Sequence, residues 1–142
     1  MNELITSVLE LIRLHNIITL VALMVCADTV MGCFRAIKQR KFNSSFGIDG
    51  AIRKITMLLS LMFLVLLDTA VHINLVAMIP ADILAVVGLE TVGTTEFFGI
   101  LYVSYEAVSI LKNMALCGLP VKSVEEKLRA FLGKYTDELP AE

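Results

Sequence analysis

Charge is almost missing from three stretches of this 142-residue chain, and each stretch keeps a single carboxylic acid. The lone charge is Asp28 between Leu14 and Phe34, Asp68 between Ile55 and Ala81, and Glu106 between Phe97 and Leu111. A helix rises about 1.5 Å per residue, so roughly 20 apolar residues cross the hydrocarbon core of a bilayer. The first two stretches, of 21 and 27 residues, reach that length outright. The third has 15 residues and reaches it when Thr94, Thr95 and Glu96 sit in the outer headgroup layer. With 57% hydrophobic and 18% charged residues, the chain has too little polar surface to cover a small water-soluble globule. The expected fold is an all-α membrane protein with three transmembrane helices, spanning about 14–37, 53–80 and 94–116.

Lysine and arginine set the orientation, because basic residues are retained on the cytoplasmic side. Arg35, Lys38, Arg40, Lys41, Arg53 and Lys54 form a basic first loop, half of the 12 basic residues. The second loop, from Asp82 to Glu96, has three acids and no base. Lys112, Lys122, Lys127, Arg129 and Lys134 follow the third stretch. The expected topology is therefore N-terminus out and C-terminus in. Residues 1–13 form an extracytoplasmic segment that does not read as a signal peptide, since Glu3 and Glu10 stand where a basic region would be. They are either a short interfacial helix or the outer end of the first span.

Turn-forming residues fill Phe42 to Gly50, and Asp49 is placed to cap the second helix. Gly118 and Pro120 should end the third. A cytoplasmic tail, 122–142, begins with the capping-box pattern Ser123-Val124-Glu125-Glu126. Val124, Leu128, Phe131 and Tyr135 then share one apolar face of a short amphipathic helix. That helix either lies on the inner membrane surface, binds a partner chain or packs on its own first loop.

An acid at mid-bilayer costs at least about 2.5–3.5 kcal/mol, so such residues face protein or water. Counted from Arg35 and Lys112, Asp28 and Glu106 share an inner layer about 10 Å deep. Asp68, fourteen residues from Lys54, lies in an outer one. The third helix adds a stripe of Thr95, Gly99, Tyr102, Glu106, Ser109 and Asn113, spaced 4, 3, 4, 3, 4 along one face. The stripe is a packing seam with Glu106 protonated or bonded to Tyr102 or Asn113, an oligomer seam that opens into a water-filled path, or a substrate site. Small residues around Gly32 allow close helix approach. The candidate polar face is thus Asp28, Gly32, Asp68, Tyr102, Glu106, Ser109 and Asn113. Cys26, Cys33 and Cys117 have no metal-ligand spacing, and no nucleophile, phosphate-loop or paired-metal motif is present. No catalytic residue, cofactor or metal is expected, and a net charge of −2 argues against nucleic acid as a partner.

Two segments carry a family resemblance. Asp28-Thr29-Val30-Met31-Gly32-Cys33, with Ala36-Ile37-Lys38, the run Lys41 to Gly50 and Arg53-Lys54, is the first. Tyr105 to Asn113, closing on Gly118-Leu119-Pro120-Val121, is the second. Over residues 20 to 121 the chain resembles the phage holin and toxin-secretion holin family, especially its branch beside clostridial large-toxin genes. The resemblance implies a non-enzymatic protein of the bacterial cytoplasmic membrane. It would form homo-oligomers among membrane lipids and make pores or lesions that release a large toxin or an endolysin. Many relatives have an acid where Lys112 stands and a proline where Lys122 stands; Lys112 fits the toxin-associated branch. From the residues alone, a small ion- or proton-coupled transporter or channel, or a membrane adaptor acting through its tail helix, remains open.

Overall fold

The computed structural model describes residues 16–40, 44–87 and 91–137, and among these the chain is all-helical. Three long helices, α1 (Asn16–Gln39), α2 (Ser44–Ala70) and α4 (Thr94–Leu116), form the body. A 3₁₀ turn (Val76–Met78) and a short α3 (Ala81–Val87) lie between α2 and α4, and α5 (Lys122–Leu132) follows. The first thirteen residues, Lys41 and the end of the tail fall outside the described residues.

Helix α4 is the centre, packed against α1, α2 and α5, while α1 and α2 touch each other less. Asp68 at the end of α2 meets Thr94 and Thr95 at the start of α4, so those two helices are antiparallel. Ile17 lies beside Gly99 and Lys38 donates to the Cys117 carbonyl, so α1 and α4 run parallel. The inward face of α1 is Ile18, Val21, Val25 and Asp28, and that of α2 holds Met57, Leu61 and Val65. Spacings of three and four residues keep each set on one side of its helix. Ile79, Val92 and Ile100 close a second apolar cluster at the N-terminal end of α4, with Val76, Ile83 and Leu84 against it.

The outward faces invert the pattern of a soluble protein. Leu23, Phe34, Ile37, Ile52, Ile55, Leu59 and Leu66 are all more than half exposed, and Phe63 is 71% exposed. Glu106, by contrast, is fully buried. Apolar side chains outside and acids inside are stable when the surrounding medium is hydrocarbon. By length and composition, α1 and residues 47–70 of α2 can each cross a membrane.

Helix boundaries differ from expectation in three places. The second helix covers Ser44–Ala70, not 53–80. At its start the helix runs straight through Gly47, Asp49 and Gly50, so Asp49 lies inside it and caps nothing. Glycine costs a helix about 1 kcal/mol per site, too little to break one anchored further along by packing. At its other end the Asn74 side-chain oxygen Oδ1 accepts from Val76 and Val92 N–H groups at 3.1 and 3.3 Å. This side chain offers the backbone an alternative to the helix, and the chain turns back towards α4. Helix α5 starts at Lys122 with Val121 at its cap position, so Ser123 lies within the first turn. Val124 and Glu125 donate to the Val121 carbonyl instead, each at 3.0 Å.

The end of α4 follows the glycine rule. Gly118 takes φ +90°, Leu119 donates to Met114 at 3.1 Å and Gly118 to Ala115 at 2.9 Å, which completes a Schellman motif. Gly99 serves close approach, because a Cβ there would collide with the Ile17 side chain. Gly99→Leu should therefore wedge α1 from α4 and destabilise the fold by about 1–3 kcal/mol, read as a lowered Tm in detergent.

Candidate functional site

The buried faces of the three long helices each carry their acid, and two of those acids converge on one lysine. Lys54 Nζ donates to Asp28 Oδ2 at 2.6 Å and to Glu106 Oε2 at 2.7 Å. Asn113 Nδ2 donates to Asp28 Oδ1 at 2.8 Å. Residues from α1, α2 and α4 are thereby joined at one level. All are withdrawn from the surface: Asp28 and Asn113 are 5% exposed, and the Lys54 side chain is 13% exposed. An ion pair removed from water is favoured only when its hydrogen-bonding groups are matched, and here the single ammonium is shared by two carboxylates.

The remaining stripe residues extend this seam along α4. The Tyr102 hydroxyl is hydrogen-bonded to Ser60 Oγ of α2 at 2.8 Å. Gly32 of α1 lies where an added Cβ would sit 3.8 Å from Asn113 Nδ2. Ser109 is half-buried between Glu106 and Asn113 on the stripe. Below the seam, Arg53 donates to the Tyr105 hydroxyl at 2.6 Å and stacks 4.7 Å from its ring centroid. Such a contact adds a cation–π attraction to the hydrogen bond.

Asp68 occupies a separate layer and does a different job. Its carboxylate accepts from the Thr94 N–H and hydroxyl at 2.9 and 2.6 Å, and from the Thr95 N–H and hydroxyl at 2.8 and 2.6 Å. An acid of α2 thus caps α4, where free N–H groups and the helix dipole favour negative charge. Glu96 Oε2 accepts from the Gly93 N–H at 3.0 Å in the same turn.

The structure unites Asp28, Gly32, Glu106 and Asn113 with Lys54, and it sets Asp68 apart from them. Arg35 and Lys38 lie on α1 and Arg40 just after it, whereas Arg53 and Lys54 lie on α2. Sequence reasoning counted Lys54 with the solvated bases and missed its partners. The signal was available, because Lys54, Met57, Leu61, Val65 and Asp68 are spaced 3, 4, 4, 3 on the buried face of α2. The alternatives offered for Glu106 also change: it bonds Lys54, while Tyr102 bonds Ser60 and Asn113 bonds Asp28. Among the described residues no group of His, Cys, Asp and Glu is arranged to hold a metal ion.

A lipid-facing apolar sleeve around a polar seam defines a small α-helical membrane protein. The chain belongs to the bacteriophage holin family, whose pattern it matches over residues 8–137. It is also 50% identical over 128 residues to the holin-like protein TcdE of Clostridioides difficile, covering 89% of this chain and 77% of that protein. No solved structure matches it.

Removing the ammonium leaves two carboxylates facing each other in the seam. Lys54→Met should cost about 3–5 kcal/mol of stability, the penalty of an unpaired buried charge. Adding Asp28→Asn and Glu106→Gln should recover most of the loss. Unfolding of the purified variants in detergent tests this; an undiminished Tm for Lys54→Met would show that the cluster does not hold the helices together. Asp68→Ala should loosen the start of α4 and cost about 1–3 kcal/mol, with hydrogen exchange rising first at Thr94 and Thr95.

Proposed function

We propose that the chain is the subunit of a homo-oligomeric lesion in the bacterial cytoplasmic membrane, through which a large toxin or an endolysin leaves the cell. α1, α2 and α4 are the three spans in this reading, with the N-terminus outside and the basic end of the bundle inside. No enzymatic step is involved. The observation that carries the reading is the charged seam of Asp28, Lys54, Glu106 and Asn113 kept inside an apolar sleeve. Family membership and the TcdE relative support the holin assignment.

In the packed bundle the polar groups answer one another and lipid meets only apolar side chains. When subunits accumulate, α4 exchanges its partners within one chain for partners in neighbouring chains. Water entering the parted seam solvates Lys54 and the two acids, and the stripe from Thr95 to Asn113 then lines the aqueous side. The outward faces of α1 and α2 stay on lipid throughout.

Inducible expression in a bacterium, with membrane potential and escape of a large cytoplasmic reporter followed together, tests the function. Depolarisation accompanied by reporter escape is the expected result. Saturable, gradient-dependent flux of small solutes without reporter escape would instead establish an ion-coupled transporter. Deleting residues 123–142 should leave release largely intact, whereas an adaptor acting through α5 would lose all function. The Asp28→Asn, Glu106→Gln double variant should shift the onset of release; unchanged release and unchanged oligomer formation would refute the role given to the acids.

A further inference from the structure

The apolar face of α5 is wider than the bundle covers. Leu132 is buried and Leu128 half-buried, and among the described residues the only helix that α5 packs on is α4. Val124 and Tyr135, however, are 55% and 44% exposed, and Phe131 is half-buried. The helical turn continues past Leu132, since Gly133 donates to the Arg129 carbonyl at 2.8 Å and Thr136 to that of Leu132 at 3.1 Å. Tyr135 therefore stays one turn beyond Phe131, with the two ring centroids 5.6 Å apart. At about 100° per residue, Val124, Phe131 and Tyr135 fall within about 40° of one another and form an apolar edge beside the packed face.

Charges around that edge are segregated. Lys127 and Lys134 border it, both exposed and both within about 60° of Phe131 round the helix. Neither forms an ion pair among the described residues. Of the acids, Glu125 lies towards the packed side and is held by Arg129 at 3.2 Å. Glu126 stands about 140–180° from the edge, and Asp137 follows the last turn. The height of the edge is set by α1. Lys38, in the last turn of α1, donates to the Cys117 carbonyl just past α4, so α5 leaves the bundle at the level where a helix able to cross a membrane ends. Leu116 and Leu119, both exposed, lead into it.

We propose that this edge of α5 docks on the anionic phospholipid surface of the leaflet at which α4 ends. Val124, Phe131 and Tyr135 enter the boundary between headgroups and acyl chains, and Lys127 and Lys134 reach beside them to the negatively charged headgroups. An apolar strip bordered by lysines fits that boundary, since a lysine stem lies along apolar surface while its ammonium stays among polar groups. Each lysine close to an anionic surface raises affinity about five-fold. A protein partner fits less well, because three side chains on an 11-residue helix fall far short of the about 800 Å² that each side of a stable interface buries. Docking requires only that the bundle lies in a bilayer, so it stands or falls apart from lesion formation.

The chain contains no tryptophan, so Tyr135→Trp places a single reporter on the edge and Ala130→Trp places one on the charged side. Each full-length variant is reconstituted in nanodiscs of phosphatidylcholine, alone or mixed with phosphatidylglycerol, with bromine on the acyl chains as quencher. With phosphatidylglycerol present, Tyr135→Trp should emit further to the blue and be quenched at least several-fold more than in phosphatidylcholine alone. Adding Lys127→Gln and Lys134→Gln, or raising the salt, should remove the difference, and Ala130→Trp should stay unquenched in both bilayers. Equal quenching of Tyr135→Trp in the two bilayers, a difference that survives loss of both lysines, or a quenched Ala130→Trp overturns the proposal. Emission that changes only with the number of chains per disc would assign the edge to a second copy and overturns it too. Hydrogen exchange on the unaltered chain guards against a reporter that disturbs the helix. Backbone amides from Val124 to Tyr135 should exchange at least several-fold more slowly with phosphatidylglycerol present, and unchanged exchange is equally fatal.

Discussion

One ammonium placed between two carboxylates, with no bulk water around it, sets the terms for the rest of this protein. Lys54 can reach Asp28 and Glu106 together only if α1, α2 and α4 meet at the same level. That requirement fixes the axial register of three helices whose apolar faces would otherwise slide past one another with little penalty. Val, Leu and Ile against lipid or against each other discriminate weakly between registers, because a lipid tail is as apolar as leucine. A mismatched charge discriminates strongly. Asp68 imposes the second constraint, tying the end of α2 to the start of α4 through four hydrogen bonds. Two polar attachments fourteen residues apart on α2 define both its height and its rotation against α4.

Much of this was legible from residue spacing, and the failures are informative. The all-helical class followed from the charge-free stretches, and the grouping of Asp28 with Glu106 followed from counting residues inward from Arg35 and Lys112. Gly118 marked the end of α4 because left-handed backbone at that position is cheap only for glycine. Lys54 was misplaced for a physical reason. It adjoins Arg53 and follows the basic cluster Arg35 to Lys41, and a local reading assigns it their environment. Its environment is decided instead by residues one and two turns away on the same face, Met57 and Leu61, which are buried. The early start of α2 and its end at Ala70 were missed because local turn propensity was weighted above tertiary anchoring at one end. At the other end it was the apolar run that misled, since Asn74 redirects the backbone by capturing N–H groups of Val76 and of distant Val92.

In the proposed lesion the same seam would let one chain favour two arrangements. A core of the same volume built from leucine would be at least as stable as buried ion pairs of this kind, which break even at best against apolar replacements. Leucine would, however, hold the helices together equally well in lipid or beside water. A charged seam is conditional. Inside the packed bundle its members satisfy one another, apart from two oxygens on α4. Beside water they need no partner in the same chain at all. Splitting the seam against lipid is forbidden by the cost of the bare charges, while splitting it against a water-filled space is not.

This asymmetry directs where a rearrangement of the kind proposed can begin. α1 and α2 carry their exposed leucines, isoleucines and phenylalanines on faces opposite the seam, so neither helix can turn its polar side outward alone without placing charge in hydrocarbon. Several chains must present their seams to a common space before water can fill it. In the proposed lesion a single chain would thereby be held in the packed state until its neighbours are present, and concentration in the membrane would be the variable that decides between the two arrangements.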